Sequence, residues 1–276
     1  MHQAQHPADR SADQPANRLS AYRSAAYPGG RHELGQNFLV DQTVISTFER
    51  LVAETTSGPI VEIGAGDGAL TRRLGRLGRP VTALEIDPAR ARKLAERLPR
   101  NVDVVCADVL RHRLPRRPHT VVGNIPFHLT TPIIRRLLAS EHWESAVLLV
   151  QWEVARRRAA VGGASMLTAS WWPWFGFEVA ARVPARAFRP VPSVDGGLLT
   201  MRRRPEPLVQ DRRGYQAFVA QVFTGRGNGL AEVVARTGRV DRTALRGWLR
   251  EYRIPAHVLP KSLDAEEWAA LWALAR

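Results

Sequence analysis

Cysteine is almost absent: Cys106 stands alone in a chain of 276 residues. A single thiol cannot close an intramolecular disulfide, so nothing points to an oxidising compartment, and a reduced, cytoplasmic setting is expected. Lysine is nearly missing too, with only Lys93 and Lys261. No window approaches the roughly eighteen apolar residues of a membrane span, and the first thirty residues lack the apolar stretch of a secretion signal. No membrane partner is expected. Segment 1–30 is rich in Ala, Ser, Gln, Pro and Asp, has little to bury, and reads as a disordered tail.

What the chain has instead is arginine. Its 40 basic residues outnumber 26 acidic ones and leave a formal net charge of +14. A high-GC composition explains Arg in place of Lys, but not an excess of bases over acids. Such a balance favours a polyanionic partner, and nucleic acid is the foremost one. With 45% hydrophobic residues the chain can bury a sizeable core, enough for one large domain and a small one.

Apolar strands alternate with amphipathic helices from about residue 41 to 150. "VDQTVISTFERLVA" puts Val44, Ile45, Phe48, Leu51 and Val52 on one helical face, with Asp41 as N-cap. Then follow "PIVEIGAGDG" (strand into glycine loop), "ALTRRLGRLG" (helix), "PVTALEID" (strand) and "PARARKLAERL" (helix opened by Pro88). "VDVVCAD" and "TVVGNIP" read as strands, "TPIIRRLLAS" as a helix and "SAVLLVQ" as a strand. This βαβα order predicts an α/β fold, a doubly wound, mostly parallel sheet with helices on both faces. "SMLTASWWPWF" carries no clear period. "FEVAARVPARAF" and "GGLLTMRRR" are strand-like, and "RRRPEP" at residues 202–207 marks a boundary beyond which only short helices are expected. The division is a tail over 1–30, a catalytic domain over 31–204 and a small helical domain over 205–276.

"VEIGAGDGAL" is a strand, a glycine turn at Gly64, Gly66 and Gly68, and a helix start. Glycines there let a ligand approach the main chain. The spacing departs from the dinucleotide Gly-x-Gly-x-x-Gly, and Glu62 and Asp67 make a poor setting for a pyrophosphate. A cationic or zwitterionic ligand fits better. Glu85 ends the next strand, where a carboxylate can accept both ribose hydroxyls, and Asp108 ends the third, where it can meet an adenine amino group. An adenosine ligand without phosphates is described, and S-adenosylmethionine is the common one.

Seven motifs together carry a family resemblance: "LGQNFL" at 34–39, "EIGAGDG" at 62–68, "EID" at 85–87, "ADVL" at 107–110, "NIPF" at 124–127, "QWEVARR" at 151–157 and "FRPVPSVDGGLL" at 188–199. In their order and content the chain resembles the Erm-type macrolide-resistance rRNA adenine N6-methyltransferases, relatives of the small-subunit rRNA adenine dimethyltransferases. The resemblance implies a class I methyltransferase (Rossmann-like) fold with a small C-terminal helical domain, and S-adenosylmethionine as cofactor. It implies that Asn37 and Leu39 contact the methionine end, that Gly64 and Gly66 line the pocket, and that Glu85, beside Ile86, holds the ribose. Asp108 and Val109 would hold the adenine, and Asn124 would touch both cofactor and target base. The implied substrate is an adenine in the peptidyl-transferase loop of 23S rRNA, naked or in an assembling large subunit, with a monomeric enzyme and no metal.

An exocyclic adenine amine is a poor nucleophile because its lone pair is delocalised. The side-chain oxygen of Asn124 and the backbone carbonyl of Ile125 could accept its two N–H groups, with Pro126 fixing the chain direction, so positioning and electrostatics carry the chemistry. The target base must leave its stack. Phe127 offers one stacking face and Phe188, by the resemblance, the other. Arg135, Arg136, Arg156 to Arg158 and Arg189 are candidates for phosphate contacts. Alternative readings are a small-subunit (16S) adenine dimethyltransferase, a non-catalytic RNA-binding assembly factor, and a nucleotide-linked oxidoreductase, the last opposed by the glycine spacing.

Overall fold

The structure is a computed structural model and describes residues 37–276; the tail expected over 1–30 lies outside the described residues. Its centre is a seven-stranded sheet of β2 (Ile60–Ile63), β3 (Val81–Glu85), β4 (Val102–Cys106), β5 (His119–Asn124), β6 (Trp143–Gln151), β7 (Phe175–Val183) and β9 (Gly196–Arg203). The order is β4-β3-β2-β5-β6-β9-β7. The first five strands in that order are mutually parallel, while β9 runs antiparallel to both β6 and β7. The mostly parallel sheet expected from the βαβα pattern is therefore present, closed on one side by an antiparallel pair. A separate two-stranded ladder joins β1 (Phe38–Leu39) to β8 (Phe188–Arg189).

Helices cover both faces because the strands are apolar on both. In β6, Val147 and Leu149 pack with Phe48 and Val52 of α1 (Gln42–Ala53), and Ala146 and Leu148 pack with Ile133 and Leu137 of α4 (Thr130–Ala139). α1 begins where the side chain of Asp41 accepts hydrogen bonds from the backbone N–H of Thr43 (2.8 Å) and Val44 (3.1 Å), satisfying two otherwise free donors. α3 (Pro88–Ala95) starts on Pro88 with Asp87 as its cap. α2 is shorter than the ten-residue helix expected over 69–78: it spans Thr71–Gly75. Gly75 sits so close to the segment before β4 that a Cβ would lie 2.8 Å from Pro99 Cγ, and Gly78 is left-handed at φ +69°, so the chain turns away early.

After α5 (Trp152–Arg158), the stretch without clear period, residues 165–175, resolves into α6 (Met166–Trp171) and, after Pro173, the start of β7. Beyond Arg203 the described chain holds only helices: α7 (Arg212–Thr224), α8 (Leu230–Arg236), α9 (Arg242–Glu251) and α10 (Ala265–Leu274), with one 3-10 turn. α6 contributes to that helical core. Ala169 is buried in it, the Tyr215 hydroxyl donates to the Ala169 carbonyl (2.8 Å), and the Gln216 amide donates to the Ser170 carbonyl (3.1 Å). Aromatic rings run on without a gap, from Trp143 stacked on Phe175 (4.9 Å) through Trp171 and Trp174 to Tyr215 and Trp272. No helix of the described residues is long and apolar enough to cross a membrane.

Candidate active site

The strand order reverses between β3-β2 and β5-β6, and the crevice at the carboxyl ends of β2 and β5 is where an open parallel sheet binds its ligand. A cavity of about 550 Å³ opens there. It is lined by Asn37, Leu39, Gly64, Gly66, Glu85, Ile86, Asp108, Val109 and Asn124, together with Ile125, Pro126 and Phe127. Residues picked from motifs spread over ninety positions thus share one wall-to-wall site.

Gly64 and Gly66 both adopt left-handed backbone (φ +70° and +53°), which turns the chain sharply out of β2. Glu85, buried at the end of β3, braces this loop: one carboxylate oxygen accepts from the Gly66 N–H (2.7 Å) and the other from the Asp87 N–H (2.9 Å). A carboxylate has about four acceptor positions, so two remain for a pair of vicinal hydroxyls. Asp108 uses one oxygen to accept from the Leu110 N–H (2.8 Å) and keeps the other, 3.8 Å from Arg111 Nε.

At the end of β5 the Asn124 side-chain amide donates through Nδ2 to the Asn37 carbonyl (2.8 Å). That bond fixes the amide orientation and leaves Oδ1 without a hydrogen bond among the described residues. Ile125 donates its own N–H to the Leu149 carbonyl (2.9 Å), while its carbonyl accepts no hydrogen bond among the described residues. Pro126 is extended (φ −53°, ψ 128°), and Phe127 begins a 3-10 turn that leads into α4.

Phe188 is not an open face in this structure. In place of the second stacking face expected from the resemblance, the ring is 0% exposed, held under β1 by the β1–β8 ladder, and meets the half-buried Phe127 edge-on (6.3 Å, 77°). It supports Phe127 from behind. The candidate arginines also divide. Arg136 donates to the His112 carbonyl and Arg158 to Ser165 Oγ, both half-buried and tied to the protein, and Arg156 pairs with Glu153; Arg135 and Arg157 are exposed, and so is Arg189, although its Nη1 donates to the Phe188 and Arg186 carbonyls.

One residue of the site enters the sequence reading without a role, as the first position of the "EIGAGDG" motif and as an unfavourable charge for pyrophosphate. Glu62, in β2, is 1% exposed, lines the cavity, and has a carboxyl oxygen with no hydrogen-bond partner among the described residues. Burial pushes its pKa up to about 8, with Thr71 opposing and the Glu85 charge adding. The only signal in the sequence is its position two residues before Gly64.

The donor set suits S-adenosylmethionine: paired acceptors for a ribose, an acid for an exocyclic amine, and a buried carboxyl for a cationic end. Fold and site together define a class I methyltransferase, and its cofactor is S-adenosylmethionine. The model of the ribosomal RNA adenine dimethylase family matches residues 29–269, and the chain belongs to that family. It is 51% identical over 250 residues to the mycinamicin-resistance protein MyrB of Micromonospora griseorubida (90% of this chain, 80% of that protein). It is 49% identical to an rRNA adenine N-6-methyltransferase of Corynebacterium diphtheriae, over 86% of this chain and 95% of the relative. Among solved structures, the 23S rRNA methyltransferase ErmE superposes with a TM-score of 0.80 at 34% identity, covering 87% of this chain and 99% of that one.

Proposed function

We propose that the protein methylates N6 of a flipped-out adenine in the peptidyl-transferase loop of 23S rRNA, and that this methylation confers macrolide resistance. The observation that carries the chemistry is the pair of unengaged acceptors at the cavity edge, Asn124 Oδ1 and the Ile125 carbonyl. The 23S target is supported by the likeness to MyrB and ErmE, whose names specify mycinamicin resistance and 23S rRNA, and these favour it over the small-subunit reading.

Bound in the cavity, the cofactor supplies a methyl group on a sulfonium. Asn124 Oδ1 and Ile125 O take the two N–H groups of the target amine, draw its nitrogen towards a pyramidal shape and turn the lone pair to the cavity. Phe127 stacks on the base, a contact worth roughly 1–3 kcal/mol. Pro126 holds the two acceptors on one side of the chain. The methyl group would pass from sulfur to N6 and one N6 proton would leave to water, so no strong base is needed from the residues around Asn124. Arg135, Arg157 and Arg189 would meet RNA phosphates.

Radiolabelled methyl transfer to naked 23S and 16S rRNA, followed by mapping of the modified base, tests this. Label confined to one loop adenine of 23S rRNA is expected. Label in 16S rRNA alone would return the small-subunit reading.

A further inference from the structure

Outside the residues already given roles, one side chain ties three parts of the cavity wall together. Arg90, in the first turn of α3, places Nη1 3.0 Å from Asp67 Oδ1 in the glycine loop and Nε 3.7 Å from Asp87 Oδ2. Its guanidinium also lies over the ring of Phe38, 4.6 Å from the centroid. The same ring packs on the glycine loop: a Cβ on Gly66 would meet Phe38 Cε1 at 3.2 Å. Arg90 therefore sandwiches Phe38 between α3 and the loop that cradles the cofactor.

Phe38 belongs to a short strap, residues 37–40, in which Leu39 is buried in the core and Phe38 lies outside it. β1 is two residues long and pairs only with β8, and the Val40 N–H donates to the Ala187 carbonyl (2.9 Å). Yet the residue before Phe38 supplies the carbonyl that orients the catalytic amide of Asn124. A continuous chain of contacts runs Asp67, Arg90, Phe38, Asn37, Asn124. If the strap lifts, the amide loses the bond that directs Oδ1 outward, and the wall beside Gly66 opens.

We propose that Arg90 is a positioning residue for methyl transfer: by clamping Phe38 on the glycine loop it docks strap 37–40, which both closes the cofactor cavity and aims Asn124. The arrangement couples the two halves of the reaction. A glycine loop displaced at Asp67 loosens the acceptor for the target amine, and a docked loop sets it. The ion pair is partly exposed, with Arg90 31% and Asp67 70% accessible, so it contributes modestly alone, and the cation–π contact carries the rest.

The proposal rests on assignment of the cavity to S-adenosylmethionine, which titration of wild-type protein with S-adenosylhomocysteine checks separately. The test compares wild type with Arg90→Gln, Arg90→Lys and Asp67→Asn. Hydrogen exchange is followed at the amides of Val40 and Asp41 in ligand-free protein, together with S-adenosylhomocysteine affinity and the single-turnover methyl-transfer rate at saturating cofactor. In Arg90→Gln the strap amides should exchange about tenfold faster, affinity should fall by about tenfold, and the single-turnover rate should drop even at saturation. Arg90→Lys should recover part of each loss, and Asp67→Asn should move all three in the same direction by less. A lost melting transition in Arg90→Gln shifts the decision to Asp67→Asn, whose site is exposed. Strap exchange equal to wild type, or an unchanged rate at saturating cofactor, overturns the proposal. Failure of wild type to bind S-adenosylhomocysteine overturns the cofactor assignment.

Discussion

Replacing Glu62 by Gln should flatten the pH dependence of stability between about pH 5 and pH 8. The buried carboxyl holds its proton up to about pH 8 in the folded protein, against an ordinary value of 4.5. Between those values the folded state carries a proton that the unfolded state has shed, so the unfolding free energy falls as pH rises. The slope approaches about 1.4 kcal/mol per pH unit, and the whole window amounts to roughly 3–5 kcal/mol. Stability from this group is thus fully present below pH 4.5 and lost as the pH passes the folded value. The amide introduced by Glu62→Gln would be neutral throughout and similar in shape, so the variant should melt close to wild type at pH 5 and clearly above it at pH 8. A cationic cofactor should draw Glu62 towards its charged form, so binding near pH 7 should release a fraction of a proton from wild type and none from Glu62→Gln. Calorimetry in buffers of different ionisation enthalpy reads that difference. Parallel melting curves for the two proteins from pH 5 to pH 8 would refute the reasoning.

Two further substitutions probe the target side. Asn124→Ala should bind S-adenosylhomocysteine and keep its melting temperature within a few degrees, yet lose methyl transfer by a factor of about 100 or more, because the acceptor acts on the reacting amine; near-normal turnover would remove Asn124 from the mechanism. Phe188→Ala, at a fully buried ring, should lower stability by roughly 3–5 kcal/mol in denaturant unfolding, whereas Phe127→Ala should chiefly weaken RNA methylation. Equal and selective loss of RNA turnover in both, with stability intact, would restore Phe188 as a stacking face.

Most of the cofactor cavity is legible in the sequence because its residues sit where local pattern changes. Gly64 and Gly66 follow an apolar strand and precede a helix, Glu85 and Asn124 each end a strand, and Asp108 lies two residues past the end of β4 instead of ending it, so period and punctuation locate them to within a residue or two. Which oxygens are already engaged is not legible, since the Glu85 bonds to Gly66 and Asp87 depend on how two loops face each other. Phe188 escapes a sequence reading for a similar reason. Its burial comes from the pairing of β8 with β1, a contact across most of the chain that no local pattern announces. β9 ends at Arg203 and helices follow it, but α6, earlier in the chain, is shared with the helical layer through Tyr215 and Gln216, so chain order and core membership part company there.

The aromatic continuum from Trp143 to Trp272 also sets an order of events during synthesis. β6 and β7 can pair with β9 once residue 203 has emerged, but the α7 rings of Tyr215, which meets Trp272, and Phe218, which meets Trp268 and Trp272, lack those partners until α10 is made. A nascent chain therefore passes through a stage with a formed catalytic sheet and a bare aromatic flank. In that interval it is open to chaperones and proteases, and the last helix ends the exposure by capping the flank.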